Sequence, residues 1–215
     1  MPNLGLWQLD RLEWKNELLN NISSRQVADN ITFPYNESLE DFEYRNTSVE
    51  GKFLDNTQTF FFRPNLSGQS GYNVISAFKT IDDSVVYVDI GWIPFEQKEN
   101  IDFLDIDYNK NFSLKGILIS SKERNMFSPE NDYIKNIWYT LSSTEMNKFY
   151  KLNGSFFILK IIDQNYFEQT LIEFNPTQIP NNHLQYAGTW FLLFIVVGIL
   201  YFYQVYQIIR IKWNT

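Results

Sequence analysis

Cysteine is absent from this 215-residue chain, and histidine occurs once, as His183. Without thiols there is no disulfide, no thiolate metal site and no cysteine nucleophile. A Ser-His-Asp triad would have to use His183, and no Gly-x-Ser-x-Gly elbow accompanies it. Basic residues are few: 18 Lys and Arg against 25 Asp and Glu give a net charge of −7. That balance argues against a nucleic-acid partner, whose phosphates demand dense Lys and Arg. No Gly-rich phosphate loop or βαβ pattern is present. The start lacks the basic segment and cleavage site of a secretory signal. With no presequence, the expectation is an organelle-encoded or bacterial gene, or a start further upstream.

What is abundant is apolar. Hydrophobic residues make up 44% and aromatics 18%, enough for one packed domain with an appendage. Asparagine is frequent, and Asn-x-Ser/Thr triplets begin at Asn21, Asn30, Asn36, Asn46, Asn65, Asn111 and Asn153. In so Asn-rich a chain they are expected by chance; glycan acceptors on a single-span glycoprotein are the other reading.

One long apolar run is present. From Tyr186 to Tyr206 the only strongly polar side chain is Gln204, and about 20 residues cross a hydrocarbon core. Trp190 at one end and Tyr201, Tyr203 and Tyr206 at the other suit interfacial belts. Arg210 and Lys212 then put the C-terminal end on the matrix or cytoplasmic side. Residues 181–209 are expected to form a transmembrane helix and 210–215 a basic tail. Residues 1–20 read as a helix, either the end of a first membrane helix or an interfacial anchor.

Residues 21–180 are mostly strand-like. Arg45, Thr47, Val49, Gly51 and Phe53 share one side of an alternating run. Thr59–Phe62, Tyr72–Lys79, Val85–Trp92, Phe112–Ser120, Phe156–Ile162 and Phe167–Phe174 follow as strands. Asp82-Asp83 reads as a hairpin turn, and Asp163-Gln164-Asn165 as another. Ser142-Ser143-Thr144-Glu145 fits a capping box for a short helix whose apolar face is Met146, Phe149 and Leu152. Pro176, Pro180 and Asn181-Asn182 link to the membrane run. The fold class expected is α+β: a mostly antiparallel, barrel-like soluble domain with helices, plus a C-terminal transmembrane helix and a truncated N-terminal membrane-proximal helix.

Two candidate sites emerge. Asp105 and Asp107, in the acidic stretch Glu96–Asp107, could hold a divalent metal in a transferase, although a solvated loop between strands is the plainer reading. His183, Tyr186 and Trp190 would share one helix face at i, i+3, i+7, beside small Ala187 and Gly188. Imidazole is a common axial ligand of haem iron; a headgroup contact or a helix cap is the bland alternative.

Asn182-His183-Leu184-x-Tyr186-Ala187-x-Thr189-Trp190-Phe191 resembles the hallmark of the surfeit-locus (Shy) family, which assists cytochrome c oxidase assembly. Leu4-Gly5-x-Trp7-Gln8-Leu9-x-Arg11-x-x-x-Lys15 is similar to the family's opening. Gly51-x-Phe53, Gly71-Tyr72-x-Val74 and Gly91-Trp92-x-Pro94 keep its order between them. Three features depart, the first two being that the first membrane helix is missing or cut short and that Asp89-Ile90 replaces the usual basic residue before Gly91-Trp92. Glu96–Asn111 has no counterpart.

The resemblance implies a non-enzymatic biogenesis factor for cytochrome c oxidase (complex IV), assisting haem a insertion or stabilising the largest, haem-bearing subunit. A permanent accessory subunit is the alternative. It implies transient haem a as cofactor, with His183 as iron ligand and Tyr186 and Trp190 on the same face. Haem propionates would turn toward Arg11 or Lys15. Oxidase subunits and membrane lipid are the partners. The location is the mitochondrial inner membrane or a bacterial plasma membrane, with the soluble domain in the intermembrane space or periplasm.

Overall fold

The structure is a computed structural model that describes residues 2–33, 42–104, 106–163, 166–167, 170–172 and 181–213. The chain divides into a β unit, Ser23–Asn175, and a helical unit, Met1–Ile22 with Pro176–Thr215.

Among the described residues seven strands form the β unit: β1 (Asn46–Phe53), β2 (Thr59–Phe62), β3 (Gly71–Thr80), β4 (Val85–Pro94), β5 (Phe112–Ser120), β6 (Ile137–Trp138) and β7 (Gly154–Ile161). The sheet order is β1-β5-β7-β4-β3-β2-β6, and an additional β1–β3 pairing closes the first five strands into a barrel. Most pairs are antiparallel, as the alternation implied, but β4–β7 and β2–β6 are parallel. The barrel-like α+β expectation therefore holds, on a mixed sheet.

Closure falls on β1. Residues 46–51 pair with β5, and residues 51–53 pair with β3, so Gly51 faces both Phe112 and Thr80. A Cβ there would lie 2.0 Å from the Lys79 carbonyl oxygen. Only glycine lets two backbones come this close at a barrel corner. Thr47, Val49, Gly51 and Phe53 are the buried side of β1.

The interior holds Val49, Phe53, Val74, Phe78, Val88, Ile90, Leu114, Leu118, Phe157 and Leu159. Phe53 meets Phe78, Phe112 and Phe167 edge-on at 5.0, 5.4 and 5.7 Å. A second cluster lies outside the barrel: Ile75, Ala77, Tyr87, Trp138, Met146 and Ile158. Strands β3 and β4 are thus buried on both faces, which explains their nearly unbroken apolar sequence.

The second cluster includes Met146 from α2 (Ser143–Tyr150). Ser142 caps this helix, its Oγ accepting from Glu145 N at 3.2 Å. The other half of the expected capping box does not form. The Glu145 carboxylate instead accepts from Asn131 Nδ2 at 2.7 Å and the Tyr133 hydroxyl at 3.2 Å, near Arg124. Three donors from one loop outcompete a single backbone N–H.

Asp89, where the family resemblance leads one to expect a positive charge, lies on the outer face among polar partners. Its carboxylate accepts both contacts from Asn73 Nδ2, at 2.9 and 2.8 Å, and one from Gly91 N at 3.1 Å. Lys160 Nζ of β7 reaches it at 3.1 Å, and both side chains are buried. The cation comes from the neighbouring strand. This ion pair joins β4 and β7 across their parallel seam.

Two other expectations change. The acidic stretch is a 3-10 helix, Phe95–Leu104, rather than a loop; Phe95 stacks on Tyr72 at 5.5 Å, which holds its start against the barrel. In place of a Phe167–Phe174 strand, the described residues show one bridge, Leu171 to Trp92. Gln164, Asn165, Pro176 and Pro180, where a turn and linker were expected, lie outside the described residues. Asp82-Asp83 does turn β3 into β4, with Asp83 at φ 69°.

Gly51→Ala is expected to destabilise by about 3 kcal/mol, since overpacking against backbone cannot relax by a rotamer change. Thermal unfolding of the full chain in detergent checks this, with a midpoint lower by roughly 6–12 °C. A pH dependence follows from Tyr87. Its hydroxyl donates to Asn147 Oδ1 of α2 at 2.8 Å, and burial, with Tyr150 nearby, raises its pKa well above the ordinary 10.0. A raised tyrosine keeps its full stabilising effect below pH 10.0 and loses it as pH climbs toward the raised value. Unfolding free energy should therefore fall above that pH. Tyr87→Phe should make the fall shallower, leaving the part due to Tyr150, whose pKa burial also raises.

Candidate functional site

The helical unit pairs the beginning of α1 (Pro2–Val27) with α3 (His183–Trp213). α1 continues past residue 20, and α3 continues past 209. Proline suits the first position of α1, where no N–H is needed. Residues His183–Ile211 are apolar and long enough to cross a membrane, and none of the apolar window is buried within the chain. Thr189 turns its hydroxyl back to Gln185 O at 2.9 Å, so even this polar group is satisfied within the helix.

Between residues 3 and 22 of α1, the less exposed positions are Gly5, Gln8, Leu12, Lys15, Leu18, Leu19 and Ile22. Most follow a three-four spacing, which makes one stripe along a helix. Opposite it on α3, Ala187 is buried to 1% exposure, and His183, Trp190 and Phe191 are half-buried. A Cβ on Gly5 would lie 2.7 Å from the Phe191 ring. Glycine lets the ring sit directly on the α1 backbone. Asn181 Nδ2 donates to Asn16 Oδ1 at 2.9 Å. As one moves along α1 from Gly5 to Asn16, the partners move backward from Phe191 to Asn181, so the helices run antiparallel.

Between these contacts His183 Nδ1 meets Gln8 Oε1 at 2.7 Å. An amide oxygen only accepts, so Nδ1 carries the proton. In the neutral ring the lone pair is then on Nε2. Among the described residues Nε2 has no hydrogen-bond partner, and it is not sealed from solvent. Gln8 thus sets both tautomer and ring orientation, the task that orienting groups perform behind metal-bound histidines.

The other residues singled out from sequence divide. Trp190 lies near the His183 face, whereas Tyr186 is 56% exposed at its margin. Gly188 has open space around it. Lys15 shares the Gln8 stripe. Arg11 does not: its guanidinium lies 5.7 Å from the Trp7 ring centre and 5.4 Å from that of Trp14. Asp107 is exposed and stabilises its own turn, accepting from Asn109 N at 2.9 Å. Asp105 lies outside the described residues, and no trio of metal-ligating side chains occurs among those described.

Gln8 had no assigned role in the sequence reading. Its signal was its place in the opening motif, as a polar residue between Trp7 and Leu9, three positions after a glycine. Its partner is 175 residues away.

The single histidine makes this arrangement measurable. Nitrogen-15 spectra of the imidazole should show one tautomer, protonated at Nδ1. Gln8→Leu should convert it to a mixture; an unchanged spectrum would remove Gln8 as the orienting group.

Comparison with known proteins accords with this architecture. The family model described as "SURF1 family" matches residues 1–195. The SURF1-like protein of Rickettsia prowazekii is 31% identical over 207 residues, spanning 94% of this chain and 83% of that protein. The SURF1-like protein of Dictyostelium discoideum is 25% identical over 249 residues, spanning 93% and 90%. Surfeit locus protein 1 of Homo sapiens is 26% identical over 223 residues, spanning 93% and 72%. The matched span runs through both α1 and the His183 end of α3, and the chain belongs to the SURF1 family.

Proposed function

We propose that this protein is a biogenesis factor for cytochrome c oxidase that assists haem a insertion into, or stabilises, the largest oxidase subunit. One observation carries the haem part of this reading. The only imidazole of the chain is held by Gln8 with its Nε2 lone pair uncommitted, at the start of a helix able to enter a membrane.

The donor set, one oriented imidazole nitrogen, would suit haem iron. His183 would supply Nε2, and Gln8 would keep the ring in the binding tautomer. Gly188 leaves the adjacent helix surface open, while Tyr186 and Trp190 would flank the ligand. Lys15 lies on the Gln8 stripe and would be the nearer cation for a propionate, whereas Arg11 lies on another side of α1. Haem, when bound, contributes an iron centre that accepts the imidazole nitrogen. One imidazole would supply one bond to the iron rather than two, which suits transient holding. The protein binds and hands over, and no catalytic turnover is required.

In this reading α3 anchors the chain in a mitochondrial inner membrane or a bacterial plasma membrane. The β unit faces the intermembrane space or periplasm, because Arg210 and Lys212 mark the opposite side. A permanently bound accessory subunit is the second reading, supported by the broad apolar surface of α3. Stoichiometric co-purification with mature oxidase would favour it.

The test begins with reduced-minus-oxidised spectra of membranes lacking the gene. The haem a band should fall selectively, with haem b and c bands intact. His183→Ala should reproduce the loss while the protein accumulates normally. Full oxidase assembly with His183→Ala would refute the haem-handling role and leave subunit stabilisation.

A further inference from the structure

The outer side of α1 carries a feature that the His183 site does not use. Leu4, Trp7, Arg11 and Trp14, at i, i+3, i+7 and i+10, lie on one face of the helix. Leu4, Trp7 and Trp14 are 42, 48 and 54% exposed. The Arg11 guanidinium lies between the two indoles, within 6 Å of both ring centres, the range of cation–π attraction. Among the described residues no carboxylate pairs with it.

Its position relative to α3 follows from contacts within the helical unit. Gly5 meets Phe191, Gln8 meets His183, and Asn16 meets Asn181. Leu4 and Trp7 therefore stand level with the first turns of the apolar span. Trp14 stands level with the polar residues before it. From Trp7 to Trp14 the helix rises about 10 Å, which carries it from the edge of the hydrocarbon into the headgroup layer. Trp prefers this depth because one end of the ring is apolar and the other donates a hydrogen bond.

We infer that Trp7, Arg11 and Trp14 form a phospholipid-headgroup site, in which the indoles flank the acyl-headgroup boundary and Arg11 binds the lipid phosphate. Arginine suits that partner because its fork donates two parallel bonds to phosphate oxygens. Preordering by the indoles lowers the entropy lost on binding. The neighbouring charges select the kind of lipid. Asp10, Glu13 and Glu17 lie on the same helix, so an anionic headgroup gains little. A zwitterionic one offers its phosphate to Arg11 and its ammonium to Asp10 or Glu17. The inference rests on α3 lying in a bilayer and not on haem binding.

The test uses the full chain in phosphatidylethanolamine–phosphatidylcholine vesicles, with carbon-13 at the arginine guanidinium carbons. Carbon–phosphorus dipolar dephasing reads which guanidinium groups touch lipid phosphate. Dephasing should be strong in the native chain and lose the Arg11 component in Arg11→Gln, leaving that of Arg210 near the other end of the span. Trp7→Ala with Trp14→Ala should weaken the Arg11 component although Arg11 is present. Three results would overturn the inference: no change in Arg11→Gln, no dephasing at all, or an Arg11 component seen only when anionic lipid is added. All three are independent of the haem a band, so this site and the function proposed above can fail separately.

Discussion

Barrel closure at Gly51 is the constraint on which the β unit depends. One residue of β1 answers to two neighbours, Phe112 of β5 and Thr80 of β3. No side chain fits where the Lys79 carbonyl approaches. With the ring closed, the aromatic interior around Phe53 has walls on every side, and five strands have no free edge to protect. The remaining two, β2 and β6, extend the sheet from β3. They bring Trp138 to the patch that α2 also covers.

The seam between β4 and β7 is parallel, and parallel strands need a long crossover. Here the crossover contains β5, β6 and α2. Asp89 and Lys160 mark the seam with a buried ion pair whose carboxylate is fully hydrogen-bonded. Such a pair adds little net stability against an apolar substitute. It does penalise a slipped register, because a one-residue slip would turn one partner into the barrel interior.

Much of this was legible along the chain. The alternation of Thr47, Val49, Gly51 and Phe53 named the buried side of β1, and Ser142 named the start of α2. These signals are local, so short-range pattern suffices. Closure of the barrel, the parallel pairing of β4 with β7 and the two-residue β6 depend on partners far away in sequence, and nothing in a strand's own residues names its neighbour. Glu145 illustrates the same limit at short range. Its spacing from Ser142 suggested a reciprocal cap, yet Asn131, Tyr133 and Arg124 claim its carboxylate. At the candidate site, His183 stood out by rarity and by its place before an apolar run. Gln8 did not, since a glutamine on a helix declares its partner only once the two helices are side by side.

That pairing has a consequence for the order in which the molecule is made. Gln8 leaves the ribosome ahead of every strand of the barrel, and His183 follows only after all of them have been translated. Until then α1 carries half of an interhelical contact, with Gly5 and Gln8 facing no ring. α3 thus completes a contact that α1 began. A chain cut short between β7 and α3 would contain all seven of these strands and yet lack the imidazole, the apolar span and the surface that α1 packs against.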